Sequence, residues 1–161
     1  DEKLGQSLSA FSLKVWCSEI GDIPLECAYQ GSKVFEDGGP YTDLYTSTAR
    51  TAKRDIRLIN SGKLTQFEFD ETIFPLEPKT VFYDWLYINA LFQHLDWLNS
   101  LEKYVGFTDI EFNPSKSINC QARSCALFIS LSRMGILEDC IESANVFIDL
   151  MREHNYIKSF T

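Results

Sequence analysis

Val81-Phe82-Tyr83-Asp84-Trp85-Leu86-Tyr87-Ile88-Asn89-Ala90-Leu91 is the stretch on which the fold turns. Apolar side chains occupy most of its helical circumference, so it predicts a long central helix buried on several sides. A Pro75 to Pro78 turn sets its start. Toward the C-terminus, Leu95 to Tyr104 reads as a shorter helix, Thr108 to Phe112 as a strand, Cys120 to Met134 as a buried helix and Leu137 to Glu153 as an amphipathic closing helix. Toward the N-terminus, Gln66 to Phe69 reads as a short strand. Before it, Ser47-Thr48 caps a helix with Ala49, Ala52, Ile56 and Ile59 on one face, closed by Gly62. The turn Gly21-Asp22-Ile23-Pro24 opens a helix at Leu25 that runs to about Glu36, with Glu26 in its first turn, and Asp37-Gly38-Gly39-Pro40-Tyr41 breaks it as a flexible loop. Leu8 to Trp16 alternates weakly, as an edge strand does. The class is α+β, a helix-dominated single domain with a few short strands. No repeat, linker or shift of composition divides residues 1–161.

Composition excludes several kinds of function. The 45% hydrophobic content, with twelve Phe, seven Tyr and three Trp, suffices for a closed core. Fifteen basic against twenty-three acidic residues give a formal charge of −8, which disfavours binding to nucleic acid by counterion release and leaves only a local grip. The five cysteines are odd in number and form no C-x-x-C pair, so they read as reduced thiols of a cytoplasmic protein and not as a disulfide frame or a metal site. Neither His94 nor His154 has the company a His-based triad needs. No apolar run reaches the roughly 18 to 20 residues of a membrane span. The chain starts at Asp1 without an initiator Met or an export leader, and what preceded it is left open.

Three segments carry chemistry. On a continuous helix Glu26, Gln30 and Lys33 fall at i, i+4 and i+7, with Tyr29 beside Lys33, so an acid, an amide, an amine and a phenol share one stripe. Spacing alone more often marks a wet face with an ion pair of about 0.2 to 0.5 kcal/mol. The second segment, Gly38-Gly39-Pro40-Tyr41, lets backbone N–H groups approach a ligand oxygen or simply ends a helix; Lys53 and Arg54, further on, would answer a phosphate or lie in solvent. It is neither a Walker loop nor a dinucleotide fingerprint. The third runs from Phe107 to Arg123, where Asp109, Glu111, Asn113, Asn119 and Gln121 crowd a turn leading into a buried helix, for ligand oxygens or for capping.

Glu26-Cys27-Ala28-Tyr29-Gln30-Gly31-Ser32-Lys33 resembles the E-H-x-Y/F-Q-A-x-K helix of the NADAR superfamily, and Leu8-Ser9-Ala10-Phe11 stands where that family writes L-S-N-F. Thr48 to Arg54 corresponds to its P-x-x-A-K-x-x-G-R stretch, and Asp109, Phe112 and Asn119 to its closing D-x-x-W-G…G-x-N-x-L-G signature. Gly31 to Tyr45, Pro75 to Tyr87 and Phe107 to Ser124 resemble more narrowly the NADAR antitoxins encoded beside DarT-type DNA ADP-ribosyltransferase toxins. The likeness covers nearly the whole chain. Ala10 and Cys27 replace the usual Asn and His, and Phe112-Asn113 replaces the Trp-Gly pair.

The resemblance implies a hydrolase that removes ADP-ribose from guanine bases in DNA by cleaving the N-glycosidic bond at the distal ribose, reversing a DarT-type toxin, without cofactor or metal. Lys33, Glu26 and Asp109 are then the catalytic candidates: Lys33 forms a Schiff base with the distal ribose, Glu26 shuttles protons or positions the 2-hydroxyl, and Asp109 is a second carboxylate. Lys33 must lose its proton for this, through burial or a neighbouring cation such as Lys53 or Arg54. Gly38, Gly39 and Arg54 are expected at the pyrophosphate, Tyr29 or Tyr41 against a base or ribose, and Gln30, Asn119 and Gln121 among the ligand contacts. Phe82, Tyr83, Trp85 and Tyr87 read as core. Two alternatives stand beside this reading: an N-glycosidase acting on phosphoribosyl small molecules, and a non-catalytic ADP-ribose-binding antitoxin.

Overall fold

The computed structural model describes residues 2–103 and 120–158, and their side chains except those of residues 2, 120, 121 and 155–158. The expected strand at Thr108 to Phe112 lies outside the described residues. The expected central helix is α5 below; the full order is α1 (Glu2–Ser7), β1 (Lys14–Cys17), β2 (Gly21–Pro24), α2 (Leu25–Gly31), β3 (Lys33–Phe35), α3 (Ala49–Lys53), α4 (Arg57–Asn60), β4 (Leu64–Phe69), β5 (Thr72–Phe74), α5 (Val81–Phe92), α6 (98–103), α7 (Cys120–Arg133), α8 (Leu137–Glu142) and α9 (Ala144–Lys158). Helical turns of the 3-10 type cover Thr42–Thr46 and Leu95–Trp97. The described part is α+β and dominated by helices.

Helix α5 is buried at Val81, Phe82, Leu86, Tyr87, Ile88, Ala90 and Leu91, and it packs on α2, α7, α8, α9 and β1. Burying one such aromatic or aliphatic side chain is worth about 1.5 to 3 kcal/mol, which is why a helix apolar all round settles at the centre. Tyr87 keeps its hydroxyl satisfied by donating to the Leu8 carbonyl at 2.6 Å. Two antiparallel sheets flank the helix. The first pairs β1 with β2, Lys14 opposite Pro24 and Cys17 opposite Gly21. The second has the order β3-β4-β5, and its apolar face sets Phe67 and Phe74 against Phe82, with ring centroids at 4.8 and 4.7 Å.

Several boundaries differ from the sequence expectation, each for a local reason. The early strand covers only Lys14–Cys17, because Leu8 is buried under Tyr87 and only the later residues find a partner in β2. The helix from Leu25 stops at Gly31 instead of reaching Glu36. A Cβ at Gly31 would lie 2.7 Å from the Tyr45 ring, so the chain presses flat there. Ser32 is fully buried, shares a 2.7 Å hydrogen bond with the Tyr45 hydroxyl and gives its carbonyl to Glu68 N–H at 2.8 Å, which starts strand pairing. Val34 and Phe35 then continue as strand formers.

Thr48 caps α3 as expected, its hydroxyl accepting from Thr51 N–H at 3.2 Å. The predicted single helix nevertheless splits at Asp55, whose carboxylate takes the Arg57 N–H at 2.9 Å and begins α4, leaving Ile56 and Ile59 exposed. The closing helix likewise breaks at Ser143, which is extended and accepts from Val146 N–H as α9 begins. Asp37 to Tyr41 is held as a turn: Phe35 N–H donates to Gly38 O at 2.7 Å, and Glu36 and Asp37 N–H bond the Lys63 and Ser61 carbonyls. Among the described residues no helix is long and apolar enough to cross a membrane.

Candidate active site

The corner where α2 gives way to β3 gathers four polar side chains singled out in the sequence. Helix α2 turns Glu26 and Gln30 inward, each only 7% exposed, and Gln30 Nε2 donates to Glu26 Oε1 at 2.8 Å. The other amide atom, Gln30 Oε1, is buried with no donor among the described residues. Leaving such an acceptor unmade costs about 1 to 3 kcal/mol, so it needs a reason for being there. An incoming hydroxyl is one.

Lys33 reaches this corner by a different route from the one its spacing suggested. It is the first residue of β3 and sits opposite Phe67 of β4, so the two side chains leave the same face of the sheet. That face is the aromatic one, and the Lys33 ammonium rests over the Tyr29 ring, 5.0 Å from its centroid. Tyr29 stacks on Phe67 at 5.4 Å and meets Tyr83 edge-on at 5.5 Å. Burial pushes the Lys33 pKa down, and the nearby Glu26 carboxylate partly offsets this. Of the two causes expected for a neutral amine, the structure supplies burial. Lys53 lies over Phe11 at 5.5 Å and Arg54 is exposed at the end of α3; neither enters the balance at Lys33.

A cavity of about 420 Å³ opens on the same aromatic wall, lined by Tyr29, Leu64, Phe67, Leu76, Phe82 and Tyr83 and closed by the Pro75 to Val81 turn. Sequence reasoning put Phe82, Tyr83, Trp85 and Tyr87 in the core. Phe82 and Tyr87 are there; Tyr83 is half-buried and turns an edge to the cavity, which period-counting along α5 does not reveal. Nor did sequence reasoning place Phe67 or Leu76 at the site. The β4 alternation was the available signal for Phe67.

The remaining expected residues fall elsewhere. Gly38 and Gly39 are used by the chain itself: a Cβ on Gly38 would lie 2.2 Å from the Tyr41 hydroxyl, and Gly39, at φ +93°, would set one 2.3 Å from the Lys33 carbonyl oxygen. These glycines let the loop pack directly on the strand that carries Lys33. The Tyr41 side chain bonds Ser61 through its hydroxyl, stacks under the Arg57 guanidinium at 4.4 Å and sits beside Phe35. Asp109 and Asn119 lie outside the described residues, as does the side chain of Gln121 in α7. Among the described residues no cluster of His, Cys, Asp and Glu could hold a metal. Cys17, Cys27, Cys125 and Cys140 are buried free thiols, with burial raising Cys27, Cys140 and Cys125, the last to about 11.

A family model described as the DarT1-associated NADAR antitoxin matches residues 1–159, nearly the full chain. The chain belongs to this NADAR antitoxin family. No curated protein matches it. The family's description ties the antitoxin to a DarT-type toxin, and the matched span includes the α2–β3 corner of this NADAR antitoxin.

Proposed function

We propose that this NADAR antitoxin is an N-glycosidase that removes ADP-ribose from guanine bases in DNA, with Lys33 as nucleophile and Glu26 as proton carrier. The observation that carries the reading is the Lys33 amine, half-buried against Tyr29 and driven toward its neutral form beside a buried carboxylate. A neutral amine attacks the anomeric carbon of the distal ribose as the bond to the guanine nitrogen breaks, and the Glu26 carboxylate takes the proton the new C–N bond makes acidic on Lys33 and hands it to the departing nitrogen. Opening of the sugar ring converts the Lys33 adduct to an imine. Water adds to it, restoring the amine and releasing ADP-ribose. Gln30, held by Glu26, offers Oε1 to a ribose hydroxyl, and the Tyr29–Phe67–Tyr83 wall receives a flat base or sugar face. In this reading the protein acts in the cytoplasm and grips the lesion locally, a mode its acidic charge favours over tracking of the phosphate backbone.

Incubation with guanine-ADP-ribosylated oligonucleotide and borohydride tests the covalent route. A trapped adduct on Lys33 together with release of ADP-ribose is expected; turnover without an adduct would leave Lys33 only an orienting role, and no release would remove the glycosidase. Processing of phosphoribosyl metabolites in preference to DNA would select the small-molecule alternative instead.

A further inference from the structure

The turn that closes the aromatic cavity borders another one. A second cavity of about 280 Å³ lies on the other side, and the two share Lys79, Thr80 and Val81 as a common wall. Their chemistry differs sharply. The first is walled mainly by aromatic and aliphatic side chains, with Glu77 and Lys79 at its turn; the second sets Asp84 of α5, Arg123 of α7 and His154 of α9 beside Leu127 and Met151, with Lys79 lining both. Such a division, ring-shaped apolar space beside a cationic recess, is what a nucleotide-like ligand presents in reverse.

The arginine in that recess is held in place. Asp84 is 7% exposed, and its Oδ1 accepts from Arg123 Nη2 at 3.0 Å and from Ser124 Oγ at 3.1 Å, while Oδ2 accepts from Thr80 Oγ1 at 2.9 Å. Thr80 makes its bond from a left-handed backbone, φ +73°, which is costly for a β-branched residue and is kept only where the surroundings demand it. Arg123 spends one nitrogen on this carboxylate; its Nε and Nη1 have no partner among the described residues, and its side chain is 37% exposed. A guanidinium anchored through one nitrogen and still more than a third exposed can meet a phosphate with its fork.

Resting on the reading of the site given above, we infer that Arg123, with Lys79 beside it, holds the diphosphate of the ADP-ribose ligand, and that Asp84, Ser124 and Thr80 are positioning residues for Arg123. This moves the diphosphate away from Gly38, Gly39 and Arg54, where the sequence alone put it. The glycine Cβ directions are filled by the chain itself, and Arg54 lines neither cavity. In a chain of net charge −8 a doubly charged group needs a specific local cation, and this is one already built and oriented.

The test is calorimetric binding of free ADP-ribose at fixed ionic strength, paired with steady-state kinetics on guanine-ADP-ribosylated oligonucleotide. Arg123→Lys keeps a charge for Asp84 but loses the fork, and Lys79→Glu reverses an exposed charge in the same recess without touching the Asp84 network. Each is expected to weaken ADP-ribose about tenfold or more and to raise KM while kcat stays within a few-fold. Asp84→Asn is expected to raise KM in the same way, a split that loss of fold alone does not produce. Wild-type affinity in Lys79→Glu, or in a folded Arg123→Lys, would overturn the inference. A wild type that binds ADP-ribose, loses it on these variants and yet releases none from DNA would keep the inference and sink the glycosidase. Turnover with unchanged ADP-ribose affinity in the variants would do the opposite, and a wild type that neither binds nor cleaves would remove both.

Discussion

Two charged clusters stand on the N-terminal half of this antitoxin and are built on opposite terms. At the surface, Arg57 forms a fork with both oxygens of Asp43, at 3.2 and 2.7 Å, and both of Asp55, at 2.9 and 3.0 Å. Its hydrogen-bonded carboxylates are held below their usual pKa range by the guanidinium, and four of its five N–H donors are used. The α2–β3 corner has the reverse character. Its carboxylate and amide are buried, its amine is pushed toward neutrality, and one amide oxygen goes unsatisfied. Pairing in water contributes little; an unmet acceptor under cover costs stability. The more tightly bonded cluster is the less informative one.

Substitutions can break this contrast, beginning with the largest expected effect. Lys33→Ala should reduce release of ADP-ribose from modified DNA by on the order of 10³-fold or more, measured under single turnover, with little change in melting temperature. If the activity survives, the amine is not the nucleophile and the corner loses its special standing. Glu26→Gln should slow release by about 10² to 10⁴-fold. It should also move the pH profile in a defined direction. Activity through a neutral amine rises with pH as Lys33 loses its proton, and burial places that rise below the ordinary lysine value of about 10.4. Because Glu26 pulls the Lys33 pKa up, removing its charge should shift the rising limb to still lower pH; a shift upward would mean that the carboxylate does not act on this amine.

Gly39→Ala tests whether the loop supports the corner through its backbone. With φ at +93° and the Lys33 carbonyl in the path of a Cβ, it should destabilise the fold by about 1 to 3 kcal/mol in chemical denaturation and lower activity by displacing β3. An unaltered variant would leave the glycines available for a ligand after all. Arg57→Ala should do least, leaving both the melting temperature and ADP-ribose release within the scatter of wild type. A large loss there would erase the distinction between the two clusters.

The outline of the fold was legible because its strongest signals are local. Eleven residues from Val81 to Leu91, apolar on nearly every side, have only one economical place in a protein, and the helix formed where the pattern put it. Thr48 capped α3 and the Pro75 to Pro78 turn preceded α5 for reasons equally contained in a few residues. Lys33 was harder. A helical stripe through Glu26, Gln30 and Lys33 grouped residues that do meet, but by the wrong geometry, since Gly31 pressed on Tyr45 and the β-forming Val34-Phe35 take the chain out of the helix first.

By itself, then, the sequence determined the helix-dominated class, the buried central helix, the family and the identities of Glu26, Gln30 and Lys33 as residues worth watching. The tertiary structure decided how they meet: Lys33 arrives from a strand, its amine loses solvent only because β4 and α5 bring Phe67 and Tyr83 around Tyr29, and Asp84 finds Arg123 across 39 positions of chain. The reason is physical. Propensity, capping and amphipathic period act between residues a few positions apart, whereas desolvation of a charge depends on everything that packs around it, and packing is fixed only when the whole chain closes.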